Sequence, residues 1–283
     1  MTRSPSVPAP RSALRSLGAL LLCGAACSTE SPTAPGGDPG PIDAPPPSPV
    51  IRQVAPAITG PGIVPVNGDH VVALEGGERG ELLLFYPGTG GRPDQYEEVV
   101  RRAAELGYHA ISLSYVNTLS VNFSICNRYP GDRDCHERVR LEILTGAESG
   151  YDPPDVDSAN AAVARLSALL AYLDTTYPTE GWGRYLEGGA PRWSRIAVAG
   201  HSQGGGHAAM TAKLHAVPRA ILFGATEPQA WTLEAFATPA ARIFGLAHSD
   251  EINFTGITRS WANLGLPGAP RVVEATPAPW GGS

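Results

Sequence analysis

Lysine is almost missing from this chain. Lys213 is the only one in 283 residues, and arginine carries the rest of the positive charge. With 21 basic against 27 acidic residues the formal net charge is −6, which leaves no basic footprint for a nucleic acid partner. Cysteine is scarce as well: Cys23, Cys27, Cys126 and Cys135 are all there are. Cys126 and Cys135, even with the neighbouring His136, fall short of the ligand set of a structural zinc site, so no metal is expected. The longest N-terminal apolar run, beginning Leu17-Gly18-Ala19-Leu20-Leu21-Leu22, is too short for a permanent membrane-spanning helix. No Lys-Ser or Lys-Thr follows the glycines of Pro87-Gly88-Thr89-Gly90-Gly91, which disfavours a Walker-type phosphate loop.

What is present begins with a leader. Arg3, Arg11 and Arg15 precede the short apolar run, and small residues end it, so residues 1–27 read as a secretion signal. Gly24-Ala25-Ala26-Cys27 resembles a bacterial lipobox with Gly24 where Leu is usual, and makes Cys27 the expected lipidation site; Cys23 is a weaker candidate. The alternative is a plain signal peptide cleaved near Ala26. Residues 28–50 are rich in Pro, Gly and Asp, bury too little apolar area to offset their ordering entropy, and read as a disordered tether. Residues 51–283 are expected to form one folded domain, for which a 42% hydrophobic content is ample.

Within that domain, Ile63-Val64 and His70–Leu74 read as edge hairpin strands. Glu81–Tyr86 is the first fully apolar strand, and the Pro87–Gly91 loop leads to a helix marked by Tyr96, Val99, Val100, Ala103 and Leu106 and closed by Gly107. Ala110–Val116 is the next strand. A long excursion over about 117–157 follows, with Cys126 and Cys135 on either side of a Pro-Gly turn; in an oxidising compartment they read as a disulfide, and the excursion as a wall that selects substrate. Ala159 to Leu173 repeat as an amphipathic helix capped by Asp157 or Ser158. Trp182 and Trp193 read as rim or core aromatics. Further strands are expected at 195–200, 220–224, 241–247 and 271–275, with a helix around Ile257, Trp261 and Leu264.

The most informative stretch is Arg195 to Ala216. A buried Ile/Val/Ala strand stops at Gly200, and helix-compatible sequence resumes after Gly200-His201-Ser202-Gln203-Gly204. A serine on so sharp a strand-to-helix turn needs glycines two positions either side, where side chains would collide. The helix behind it aims N–H groups and a positive dipole end at the place an oxyanion would form.

These residues resemble the nucleophile elbow of the α/β-hydrolase superfamily, closest to exported bacterial members with a Pro-Gly-Thr-Gly-Gly oxyanion loop. The resemblance implies an α/β fold, a mostly parallel central sheet with helices on both faces. It implies an acyl-enzyme formed on Ser202 from a small or polymeric ester, with no cofactor and no metal. Oxyanion N–H groups would come from Thr89, with Gly90 as second choice, and from Gln203. The acid, three residues past the strand ending at Ala247, falls on Asp250; Glu251 is the runner-up and Glu227 a distant third. The family's order then calls for a histidine, yet none follows Asp250. His201, His207 and His215 are expected to pack around the elbow helix, and His248 is a weak candidate base. The expectation is therefore a chain truncated after its last strand, with a gene continuing past Ser283 to a histidine. The alternative function is a cell-surface binding module that kept the fold without catalysis. The localisation implied is export, with a membrane tether through a lipidated Cys27.

Overall fold

The computed structural model describes residues 48–76, 79–268 and 271–273. The leader, Cys23, Cys27, nearly all of the tether and residues 274–283 lie outside them, as do Glu274 and Ala275 of the last expected strand. Among the described residues no helix is long and apolar enough to cross a membrane.

Eight strands form one sheet: β1 (Val50–Val54), β2 (His70–Leu74), β3 (Leu82–Tyr86), β4 (His109–Ser112), β5 (Ile196–His201), β6 (Ala220–Phe223), β7 (Ile243–His248) and β8 (Arg271–Val273). Their order across the sheet is β1-β2-β4-β3-β5-β6-β7-β8. β2 is antiparallel to both of its neighbours, and every pairing from β4 to β8 is parallel. That order, with one reversed strand in second place and a serine turn after β5, is the α/β-hydrolase fold. The expected hairpin is corrected in its members. Val50–Val54, not Ile63-Val64, pairs with β2, and β2 is an interior strand whose five residues are all buried.

Side chains alternate along β3 and divide the core in two. Leu82, Leu84 and Tyr86 pack on one face with Leu166, Leu169, Ala208, Ala209 and Trp261. Leu83 and Phe85 pack on the other with Val100, Ala103 and Ala104. The second face is therefore covered by α1 (Glu97–Glu105), and the first by α2 (Cys135–Thr145), α3 (Ala162–Thr176), α4 (Gln203–Leu214) and α5 (Phe254–Asn263). Phe244 of β7 remains 47% exposed.

Two expectations change here. The excursion after β4 is not a plain loop, because it contains the eleven-residue helix α2. The disulfide Cys126–Cys135 (Cα–Cα 5.7 Å) joins the start of α2 to the turn before it. Glu142 of α2 then accepts from the amides of Ser149 (3.0 Å) and Val156 (3.1 Å), giving the rest of the excursion a fixed path. The second change concerns α3, which starts at Ala162 with Ala161 at its N-cap. Asp157 instead closes a separate turn by accepting from the Asn160 amide (2.9 Å).

Candidate active site

Ser202 sits between β5 and α4 with φ 53° and ψ −120°, a left-handed conformation that costs a non-glycine residue energy and is held only by its surroundings. Its N–H donates to the Phe223 carbonyl (2.8 Å), and its own carbonyl accepts from Gly205 (3.0 Å). A Cβ on Gly200 would lie 2.2 Å from the Gly204 carbonyl oxygen, and one on Gly204 would lie 2.0 Å from the Tyr86 carbonyl oxygen. Both obstacles are backbone, so neither can give way. Helix α4 crosses close to the ends of β3 and β5, and the glycines are the condition for that approach.

The Pro87–Gly91 loop lies beside this turn and is held from below. The buried Asn117 donates to the carbonyls of Gly88 (2.7 Å) and Gly91 (2.9 Å), and Tyr115 donates to Pro87 (2.7 Å). The Gly90 amide is spent on the Asn117 carbonyl (2.8 Å), which leaves Thr89 as the free donor of the two loop candidates. Among the described residues the amides of Thr89 and Gln203 have no hydrogen-bond partner. The Thr89 hydroxyl donates to Gln203 Oε1 (3.1 Å), which ties the two together.

Ser202, Thr89 and Gln203 line a cavity of about 380 Å³ with Asn122, Phe123, Arg140, Glu227, Glu251 and Ile252 among its other walls. Asp250 is not one of them: its side chain is 87% exposed, and its amide donates to His248 Nδ1 (3.1 Å). The offset has a simple origin. β7 runs one residue further than its apolar run suggests, to His248, so the position three past its end holds Glu251. Glu251 lines the Ser202 cavity and also an adjoining apolar recess that it shares with His201, His248, Phe223 and Val273. Glu227 lines the cavity too, paired with the buried Arg140 at 2.5 Å. Burial alone would raise the Glu227 carboxyl, but Arg140 and His136 together hold it below its ordinary value.

Among the described residues no histidine lines the Ser202 cavity. His201 is turned to Tyr96, whose hydroxyl lies 3.0 Å from Nδ1, and burial lowers its pKa against an opposing pull from Glu251. His207 is fully buried against Tyr86 and Tyr115, with both ring nitrogens unpartnered among the described residues. His215 stacks on Trp193, and Trp182 is fully buried. Sequence reasoning missed Asn117, Arg140, Phe123 and Ile252. Of these only Asn117, a polar residue just past a buried strand, carried a local signal.

The chain matches no protein-family model and no curated protein. Solved structures similar to it include a hyperthermophilic esterase from the archaeon Pyrobaculum calidifontis, at 17% identity over 80% of this chain and 76% of that one, with a TM-score of 0.42. A hormone-sensitive lipase from a metagenome library is 14% identical over 75% and 74% of the two chains (TM-score 0.40). A dienelactone hydrolase-like promiscuous phosphotriesterase from metagenomic libraries is 17% identical over 81% and 82% (TM-score 0.41). These likenesses are distant, and strand order and the serine turn identify the fold without them.

Proposed function

We propose that the chain is an exported serine hydrolase that cleaves a carboxylic ester or related acyl substrate through an acyl-enzyme on Ser202. The observation that carries this reading is the strained Ser202, exposed at the mouth of a cavity beside the unpartnered amides of Thr89 and Gln203. Ser202 Oγ attacks the acyl carbonyl, the two amides stabilise the oxyanion, the ester C–O bond breaks and the alcohol leaves with the proton given up by Ser202. Water then cleaves the acyl-enzyme, releasing the acid and restoring the serine hydroxyl. Glu251, rather than Asp250, is the carboxylate placed to orient an imidazole, because it spans the cavity and the recess that holds His201 and His248. A fluorophosphonate probe tests this directly. Labelling of the wild type that is lost in Ser202→Ala is the expected result. Glu251→Gln should slow labelling by about 10²–10⁴-fold, the range for a group serving acid–base catalysis, and Asp250→Asn should leave it unchanged.

A second reading is favoured by one observation, that no histidine lies on the cavity wall among the described residues. In it the chain is a binding module that kept the fold. A wild type inert to the probe, and indistinguishable from Ser202→Ala, selects that reading.

Export and a lipid anchor at Cys27 are proposed on the leader pattern, with the Cys126–Cys135 disulfide suited to an oxidising compartment. Cys27→Ser should move the protein from the membrane fraction to the soluble one. An unchanged partition counts against the anchor.

A further inference from the structure

One closed piece of chain, residues 121–140, grips Gln203 at two points. Upstream of the disulfide, the Val121 amide donates to Gln203 Oε1 (2.8 Å). Downstream, Arg140 Nη1 donates to the Gln203 carbonyl (3.1 Å). The bond between Cys126 and Cys135 ties the two halves together. Space for the second grip is made by Gly206, where a Cβ would fall 2.5 Å from Arg140 Cζ.

Arg140 is an odd choice for helix stability. A guanidinium beside the first turn of α4 faces the positive end of the dipole, and its side chain is only 1% exposed. Glu227 cancels the charge at 2.5 Å, and the Thr226 hydroxyl donates to the other Glu227 oxygen (2.8 Å). Buried pairs of this kind often contribute less stability than apolar side chains of the same size, so geometry is the better account of it. The planar fork reaches Glu227 and the Gln203 carbonyl at once, which a lysine cannot do.

We propose that residues 121–140 are a disulfide-closed clamp that fixes the Gln203 amide for oxyanion stabilisation, with Arg140 as its positioning residue. This rests on the hydrolase reading above. Arg140 acts through Gln203 on the amide that meets the substrate oxygen. Misplacing such a donor by about 1 Å is enough to cost on the order of a hundredfold in rate.

The test uses the full-length protein and two readouts. The first is the rate constant for inactivation by a fluorophosphonate, whose phosphoryl oxygen sits where the oxyanion would and gains negative charge in the transition state. The second is hydrogen exchange of the amides at 203–206 without any ligand. Arg140→Gln and the double variant Cys126→Ser/Cys135→Ser should each slow inactivation by about tenfold to a hundredfold, with Arg140→Lys recovering part of the loss. Each should also speed exchange at 203–206 while amides of β3 and β5 stay protected. Val121→Pro removes only the other grip, at a position following an extended Ser120 where proline fits, and serves should the charge or cysteine variants fail to fold. Wild-type inactivation and 203–206 exchange that are both unaltered in folded variants overturn the clamp. An inert wild type sinks the hydrolase reading instead, and the exchange measurement then decides the clamp alone.

Discussion

Glycines near the serine turn are not equivalent. Gly204 carries a hydrogen where a methyl group would sit 2.0 Å from a β3 carbonyl, whereas Gly90, at φ 67°, has nothing within 4 Å. Gly204→Ala should therefore leave little folded protein in a soluble-expression and thermal-melt comparison. Gly90→Ala should fold and lose only about 1–2 kcal/mol, the cost of a left-handed backbone for an L side chain. His70 contributes to the acid side of stability. Burial, with Arg165 adding, lowers His70 from 6.5 to about 3, and its Nδ1 accepts the Ser114 amide (3.0 Å). The unfolded chain takes up this proton below 6.5 and the folded chain does not until about 3. Stability from this group is thus complete above 6.5 and is lost as pH falls through that window. His70→Asn, which keeps an acceptor, should flatten the fall in Tm between pH 6.5 and 4; an unchanged slope assigns it to other groups.

At the scale of elements, the disulfide closes a short loop over a helix that the sequence did not announce. By the chain-entropy relation it contributes about 2.5–3 kcal/mol through the unfolded chain, so Cys126→Ser/Cys135→Ser should lower the urea midpoint, with any change in m-value upward as the unfolded state expands. The helix it anchors was illegible for a physical reason. α2 buries Val139, Arg140, Glu142, Ile143 and Leu144 alike, so two of its charged residues, Arg140 and Glu142, point inward and break the polar repeat. The β5 turn was legible because its residues are contiguous: two glycines flank a serine, Gly200 kept bare by the Gly204 carbonyl of the turn itself and Gly204 by the Tyr86 carbonyl at the end of β3. Asp250 and Glu251 differ by one step along a strand end, and apolar character cannot locate that end to one residue. Pairing with β8 is what carries β7 on to His248.

Across the whole molecule, β1 is joined to the chain after α3 by one polar cluster. Arg52 makes a two-pronged pair with Glu180 (2.6 and 3.0 Å) and lies 4.2 Å above the Tyr177 ring, while Trp182 donates to the same carboxylate (2.7 Å). Both partners are partly buried, so removal should cost more than an exposed pair and less than an interior one. Arg52→Met should lower stability by about 1–3 kcal/mol, with faster hydrogen exchange confined to β1.

The scarcity of lysine ends in a single amine at the C-terminal turn of α4. Lys213 is held between Glu137 and Glu234, its side chain is 11% exposed, and these carboxylates outweigh burial to raise its pKa. Within these 283 residues no side-chain amine is therefore freely offered. Amine-reactive dyes, aldehyde fixation and activated-ester resins will find no ready side-chain amine on these residues while they are folded. The same fact makes acylation of Lys213 a clock: its rate counts how often the junction of α2, α4 and the Glu234 segment opens.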